Sequence, residues 1–125
     1  MSEAFTVYLR NEEKVLLMQR ADGISDFPGA WDGIYGLGDP SDLEIVAKRV
    51  SECTGLSEES FEFVRTGAAR GLEYGNRLND VTPILCICSS DDIKPTTLYK
   101  NCEWVDPGRI KDKDCLLYTS DAADE

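Results

Sequence analysis

Apolar and other residues alternate near the start of the chain, which is the pattern of a half-buried sheet. Phe5, Val7 and Leu9 are separated by Thr and Tyr, and this period of two predicts a half-buried strand. After a polar turn, residues 15–18 are all apolar and predict a second strand that is apolar on both faces. Residues 21–40 are rich in Gly, Asp and Pro and predict a long irregular loop, which in a compact domain is usually functional.

One helix is predicted with clear start and stop signals. Ser41 followed by Glu44 fits a capping box, in which Ser41 caps the first turn and Glu44 reaches back. Gly55 supplies the left-handed residue that commonly ends a helix. The apolar face of this helix is expected to consist of Leu43, Val46, Ala47, Val50 and Cys53.

Later segments predict more strands and a second helix. Strands are expected at residues 61–66, 72–74, 82–89 and 100–105. The strand at 82–89 is apolar on both faces, so it is expected to lie between two layers. Asp106-Pro107 is a typical opening of a further helix. The order of elements therefore predicts an α/β sandwich with a mixed sheet.

Composition excludes several classes of function. The chain has 125 residues, enough for one domain. Asp plus Glu total 24 against 13 Lys plus Arg, a net charge of -11, which argues against binding to duplex nucleic acid or an anionic membrane. There is no histidine, so Ser-His and Cys-His nucleophile pairs and His-ligated zinc are excluded. The longest wholly apolar run, residues 84–88, is too short to span a bilayer.

The cysteines indicate the cellular compartment. Cys53, Cys86, Cys88 and Cys102 form no C-x-x-C pair, so reduced thiols and a cytoplasmic location are expected.

The final segment, CLLYTSDAADE at 115–125, resembles the in-frame translation of an adapter used in transposon-based sequencing libraries. We therefore expect one domain at 1–114, incomplete at its C-terminus, and a non-native tail at 115–125.

An ordered set of short motifs resembles the Nudix hydrolases. The set consists of Gln19-Arg20 after a hairpin, FPGAWD at 27–32, Thr54-Gly55-Leu56 at the helix end and EWVDP at 103–107. This resemblance implies an α/β/α sandwich with a mixed sheet. It also implies a pyrophosphohydrolase that cleaves a nucleoside diphosphate linked to another group X, with Mg²⁺ or Mn²⁺ as cofactor and a small nucleotide-type molecule as substrate.

The Nudix signature, G-x5-E-x7-R-E-U-x-E-E-x-G-U, is degenerate in this chain. Aligned on its Thr-Gly-Leu end, Lys48 keeps the charge of the signature arginine and Glu52 keeps one metal-binding glutamate. Arg49, Cys53 and Pro40 stand at the other glutamate positions, and the preceding loop is two residues shorter than the signature requires. A lone carboxylate holds Mg²⁺ poorly, and Arg49 would repel the ion.

The resemblance implies Glu52 as a catalytic residue and metal ligand, Arg20 as a phosphate-binding residue, and Phe27 and Trp31 as the pocket loop. Two further candidates come from the residues themselves and not from the signature. They are Glu44, which could shift and join Glu52 as a metal ligand, and Arg49, which could bind phosphate.

Several alternatives stay open at this level. Glu44, Lys48 and Glu52 could simply form a ladder of charges on a solvated helix face. An acid of the shortened loop, Asp39 or Asp42, could join Glu52 in a weaker metal site. Arg49 could instead bind substrate phosphates itself. The two functional hypotheses are therefore a metal-dependent hydrolase and a catalytically inactive Nudix-fold module that binds a nucleotide or a protein.

Overall fold

The computed structural model describes residues 2–23, 29–74, 77–95 and 99–112, with the backbone alone at residues 2, 70, 72–74, 77–79 and 110–112. Within these ranges the chain forms an eight-stranded sheet and one α-helix. The strands are β1 (Ser2–Asn11), β2 (Lys14–Arg20), β3 (Trp31–Asp32), β4 (Ile34–Leu37), β5 (Phe61–Thr66), β6 (Arg70–Tyr74), β7 (Arg77–Cys88) and β8 (Tyr99–Val105). The helix α1 is Leu43–Thr54, and 3₁₀ helices occur at Glu58–Ser60 and Pro107–Asp112.

The sheet is mixed, and β1 lies at its centre. β1 runs parallel to β7 and antiparallel to β2 and β4. β2 also pairs with β3 and β8, whereas β7 also pairs with β5 and β6, all antiparallel. The predicted α/β class with a mixed sheet is therefore confirmed. In the described ranges no helix has both the length and the apolar character needed to cross a bilayer.

The main core lies between α1 and the sheet. Val46, Val50 and Cys53 of α1 are buried in one cluster with Phe5 and Val7 of β1. A smaller cluster consists of Val15, Leu17 and Val105, with Tyr8 and Trp31 packed against it. Burial of these side chains is the main favourable contribution to folding, and it fixes α1 against β1 and β4.

The start of α1 differs from the prediction. The N-cap is Asp42, whose Oδ1 accepts from the Ile45 amide at 3.4 Å. Ser41 does not cap the helix because its hydroxyl and its amide both donate to Asp39 Oδ1, at 2.7 and 2.9 Å. Leu43 is exposed rather than part of the buried face, which begins at Val46. The C-terminal prediction is confirmed: Gly55 has φ 76° and its amide donates to the Ser51 carbonyl.

Three other predictions need correction. The expected loop at 21–40 contains β3 and β4, because pairing with β2 and β1 gives this glycine-rich segment the hydrogen bonds of a sheet. On β7 the side chains of Ile84, Cys86 and Cys88 are buried, but Ile87 on the other face is exposed, so β7 is not covered on both sides by the described residues. The segment after Asp106 opens as a 3₁₀ helix rather than an α-helix.

Candidate ligand-binding cleft

A cleft of about 490 Å³ lies between β4 and α1. This volume is within the usual range for sites that bind small molecules. The cleft is lined by Phe5 of β1, by Tyr35, Gly36 and Leu37 of β4, and by Ile45, Lys48, Arg49 and Glu52 of α1.

The four helix residues of the cleft share one face of α1. Ile45, Lys48, Arg49 and Glu52 are spaced i, i+3, i+4 and i+7, which places their side chains on neighbouring turns of the same face. The buried residues Val46, Val50 and Cys53 belong to the face that packs on the sheet. Packing of α1 on the core therefore presents two cations and one carboxylate to the cleft.

Gly36 allows α1 and β1 to approach each other beneath the cleft. A Cβ atom at this position would lie 2.4 Å from Cζ and 2.7 Å from Cε1 of Phe5, and 3.0 Å from Cγ of Arg49. Phe5 is fully buried, so its ring has little room to move. The position therefore needs glycine for packing.

Arg49 is attached to the sheet through its side chain. Its Nε donates to the backbone carbonyl of Tyr35 at 2.9 Å. Among the described residues no other acceptor or carboxylate is bonded to the Arg49 side chain. A guanidinium has five N–H donors, so the donors of its terminal nitrogens remain for a ligand.

Arg20 lies behind the cleft rather than in its lining. It is only 5% exposed, and its guanidinium carbon is 5.2 Å from the centre of the Tyr35 ring. This is the distance of a cation–π contact. Arg20 therefore contributes positive charge beside Tyr35, while Arg49 and Lys48 border the cleft directly.

Comparison with known proteins identifies the fold. No protein-family model and no curated protein matches the sequence. Solved structures do match. An Ap4A hydrolase from C. elegans is 14% identical, with a TM-score of 0.79 over 98% of this chain and 91% of that one. The MutT protein of Methanosarcina mazei Go1 is 22% identical, with a TM-score of 0.78 over 98% and 90%. The Nudix hydrolase RenU from M. smegmatis is 19% identical, with a TM-score of 0.76 over 91% and 76%.

The chain has a Nudix fold. At these identities the similarity establishes the architecture, and the chemistry has to be argued from the site itself.

Among the described residues, the acids do not form an evident metal site. Glu52 is exposed and lines the cleft. Glu44 is exposed in the first turn of α1 and is not among the lining residues. Cys53, which the sequence alignment predicts at the last glutamate position of the Nudix signature, is 1% exposed and packs in the core. The described residues contain no group of three or more Asp, Glu or Cys side chains that could hold a metal ion.

The donor set therefore does not fit Mg²⁺. This ion is bound by oxygen ligands in near-octahedral geometry and usually keeps several waters, with protein carboxylates and substrate phosphates supplying the rest. In this cleft one carboxylate, Glu52, accompanies the two cations Lys48 and Arg49. Those cations oppose the binding of a divalent ion.

The charges on α1 do not pair with one another. Glu44, Lys48 and Glu52 have the predicted i, i+4, i+8 spacing, yet no ion pair joins them among the described side chains. The exposure of all three side chains agrees with the alternative of a solvated charged face, so that alternative stays open. Lys48 and Glu52 are both exposed, so their charges face the solvent of the cleft.

Of the two aromatic residues predicted for the pocket loop, only Trp31 lies within the described residues. Trp31 packs with Val15, Leu17 and Val105 in the smaller apolar cluster and is not among the residues that line the cleft. This is the packing expected of a side chain that anchors the loop. Phe27 lies outside the described residues.

Asp32 is a buried acid that the sequence analysis did not select. Its side chain is fully buried, and its Oδ1 accepts from the Tyr8 hydroxyl at 2.8 Å. Burial raises the pKa of Asp32 from 3.8 to about 6, although hydrogen bonds from Gly33 and Tyr8 and the charge of Arg20 act in the opposite direction. Asp32 ends the FPGAWD motif at 27–32, but the motif contributed only to the resemblance and did not indicate that this acid is buried.

Tyr35 and Ile45 were also missed as lining residues. Tyr35 belongs to a segment whose glycines predicted a loop. The helical spacing of Ile45 from Lys48, Arg49 and Glu52 was a usable signal, because all four positions share a helix face.

Proposed function

We propose that this chain binds a small nucleotide-type molecule through its diphosphate group, without a metal ion, in the cleft between β4 and α1. The observation that carries this proposal is the placement of Arg49. Its Nε is held by the Tyr35 carbonyl at 2.9 Å, and the residue lines a cleft that Lys48 also lines. A planar guanidinium fixed in this way can form paired hydrogen bonds to phosphate oxygens.

The charge of the cleft supports an anionic ligand. The whole chain carries a net charge of -11, but the lining contains two cations and one carboxylate. Arg20 adds a buried positive charge behind Tyr35. A local excess of positive charge in an acidic protein favours anions at that place.

Titration of inorganic diphosphate into the full chain in the presence of EDTA tests this function. Arg49→Ala should weaken binding at least about tenfold, since a hydrogen bond to a charged group contributes about 1.5–3 kcal/mol. The matched control is Arg65→Ala, because Arg65 is an exposed arginine of β5 that does not line the cleft. Equal effects of the two substitutions, or no binding by the unaltered chain, would contradict the proposal.

A metal-dependent pyrophosphohydrolase acting on a nucleoside diphosphate linked to X is the second candidate. The exposed carboxylate of Glu52 in the cleft favours it. Two structural neighbours, an Ap4A hydrolase and a Nudix hydrolase, also favour it. Release of nucleoside monophosphate from such compounds with Mg²⁺ or Mn²⁺ tests it. Turnover lost with EDTA and with Glu52→Gln would support the hydrolase, whereas no product in any condition would reject it.

We also propose a cytoplasmic location. Cys53, Cys86, Cys88 and Cys102 are free thiols, and free thiols are typical of a reducing compartment. Burial raises the pKa of the Cys86 thiol to about 12, so this thiol stays protonated and unreactive.

A further inference from the structure

The cleft has an aliphatic rim beside its cations. Leu37 of β4 is 61% exposed and Ile45 of α1 is 42% exposed, and both line the cleft. Gly38 lies against Ile45, since a Cβ atom at Gly38 would be 3.3 Å from the Ile45 Cγ2. Exposed apolar side chains at the edge of a cleft are a common feature of ligand sites.

We propose that the ligand carries an aliphatic group next to its diphosphate, and that this group packs on Leu37 and Ile45. The inference rests on the proposed function, because Lys48 and Arg49 have to hold the diphosphate. Ile45 precedes these two cations by three and four residues, so its Cβ atom lies about 5–6 Å from the Cβ atoms of Lys48 and Arg49 on the same helix face. An aliphatic chain esterified to the diphosphate therefore reaches the rim directly.

The rim beside the cations suits the aliphatic group of the ligand rather than its base. Bases bind by stacking on open aromatic faces. Of the aromatic lining residues, Phe5 is fully buried and Tyr35 already has the Arg20 guanidinium 5.2 Å from its ring centre. The exposed apolar surface of the cleft comes instead from Leu37 and Ile45. Branched aliphatic side chains contact alkyl groups without a required orientation.

Two probes that differ only in their alkyl group test this inference. Methyl diphosphate and octyl diphosphate are titrated into the full chain with EDTA, the octyl ester below its micelle concentration. Each buried methylene can strengthen binding by up to about fourfold, so the octyl ester should bind at least about tenfold more tightly. Leu37→Ser and Ile45→Ser should each remove much of this gain, so that affinity for the octyl ester falls by a much larger factor than affinity for the methyl ester.

The matched control is Leu43→Ser. Leu43 is 52% exposed on the same helix but does not line the cleft, so its loss should leave the octyl gain intact. Thermal unfolding of all three variants checks that they remain folded, as expected for exposed side chains.

The possible outcomes distinguish the inferred aliphatic group from the proposed diphosphate binding. Equal affinity for the two esters would overturn the aliphatic group while leaving diphosphate binding in place. Binding of neither ester would overturn the proposed function as well. An octyl gain that Leu43→Ser reduces as much as Leu37→Ser would show non-specific adsorption and overturn the inference. If Leu37→Ser changed the sedimentation coefficient but not the affinity for the octyl ester, the rim would be a contact between copies of the chain. This result would also overturn the inference.

Discussion

The side chain of Arg49 is joined to the backbone of Tyr35, with 2.9 Å between Nε and the carbonyl oxygen. This hydrogen bond connects α1 to β4 across fourteen residues of sequence. It fixes one side of the guanidinium, so less conformational entropy is lost when the other side binds an anion. If the predicted alignment holds, an anchored cation stands at a position that the Nudix signature gives to a metal-binding glutamate.

Replacing Glu52 distinguishes metal-free binding from metal-dependent catalysis. Without metal, Glu52→Gln removes the carboxylate of the cleft and should tighten inorganic diphosphate binding about two- to fivefold, because like charges repel. Glu44→Gln is the control, since Glu44 lies on the same helix outside the lining. Calorimetric titration in EDTA measures both. Weaker binding by Glu52→Gln would mean that Glu52 helps to hold the ligand, against our proposal.

Gly36→Ala should destabilise the protein and deform the cleft. The added Cβ would lie 2.4 Å from the buried Phe5 ring, and overpacking of this kind costs about 1–3 kcal/mol. The control is Gly108→Ala, where a Cβ would meet nothing within 4 Å. Urea unfolding of both variants checks the difference. Similar midpoints for the two would show that β1 and β4 can separate at little cost.

Asp32→Asn should change how stability depends on pH. The pKa of Asp32 is about 6 in the folded protein and 3.8 without the effects of burial, so between these values the folded state binds more protons than the unfolded state. Raising the pH through this interval therefore lowers the free energy of unfolding, by up to about 3 kcal/mol. Asparagine cannot ionise, so the variant should gain stability relative to the unaltered chain as the pH rises from 4 to 6.5.

Chemical unfolding across this pH range measures the effect of Asp32→Asn. Asp92→Asn is the control, because Asp92 is exposed and its replacement changes the net charge by the same amount. A gap between Asp32→Asn and the unaltered chain that stays constant with pH would contradict the raised pKa.

The two candidate caps of α1 can be separated by alanine substitution. Asp42→Ala should lower the free energy of unfolding by about 0.5–1 kcal/mol, the lower part of the usual range for an N-cap, since its hydrogen bond to Ile45 is long at 3.4 Å. Ser41→Ala should cost less, because Ser41 only closes an exposed turn with Asp39. Thermal unfolding monitored by circular dichroism compares them. A larger loss of stability in Ser41→Ala than in Asp42→Ala would instead support the capping box predicted from the sequence.

Much of the architecture could be predicted from local sequence patterns. The period of two in β1, the apolar face of α1 from Val46 onward and the Gly55 stop were all predicted, because each depends on residues close in sequence. β4 was not predicted, since Gly36 within it and Gly33 and Gly38 on either side disfavour a strand, and only its pairing with β1 overcomes that preference. The cap was misplaced because Asp39 competes for Ser41.

The sequence alone determined which chemistries this chain can supply: it has no histidine, and it has Arg49, Cys53 and Pro40 at the positions that the predicted alignment gives to glutamates of the Nudix signature. Only the tertiary structure decided which side chains share a cleft. Packing of α1 on β1 turned Cys53 into the core and Lys48, Arg49 and Glu52 toward the cleft. The fold also buried Asp32 beside Tyr8, which is distant in sequence. The physical reason is that charge and residue type belong to single positions, whereas burial and desolvation depend on neighbours that only the fold brings together.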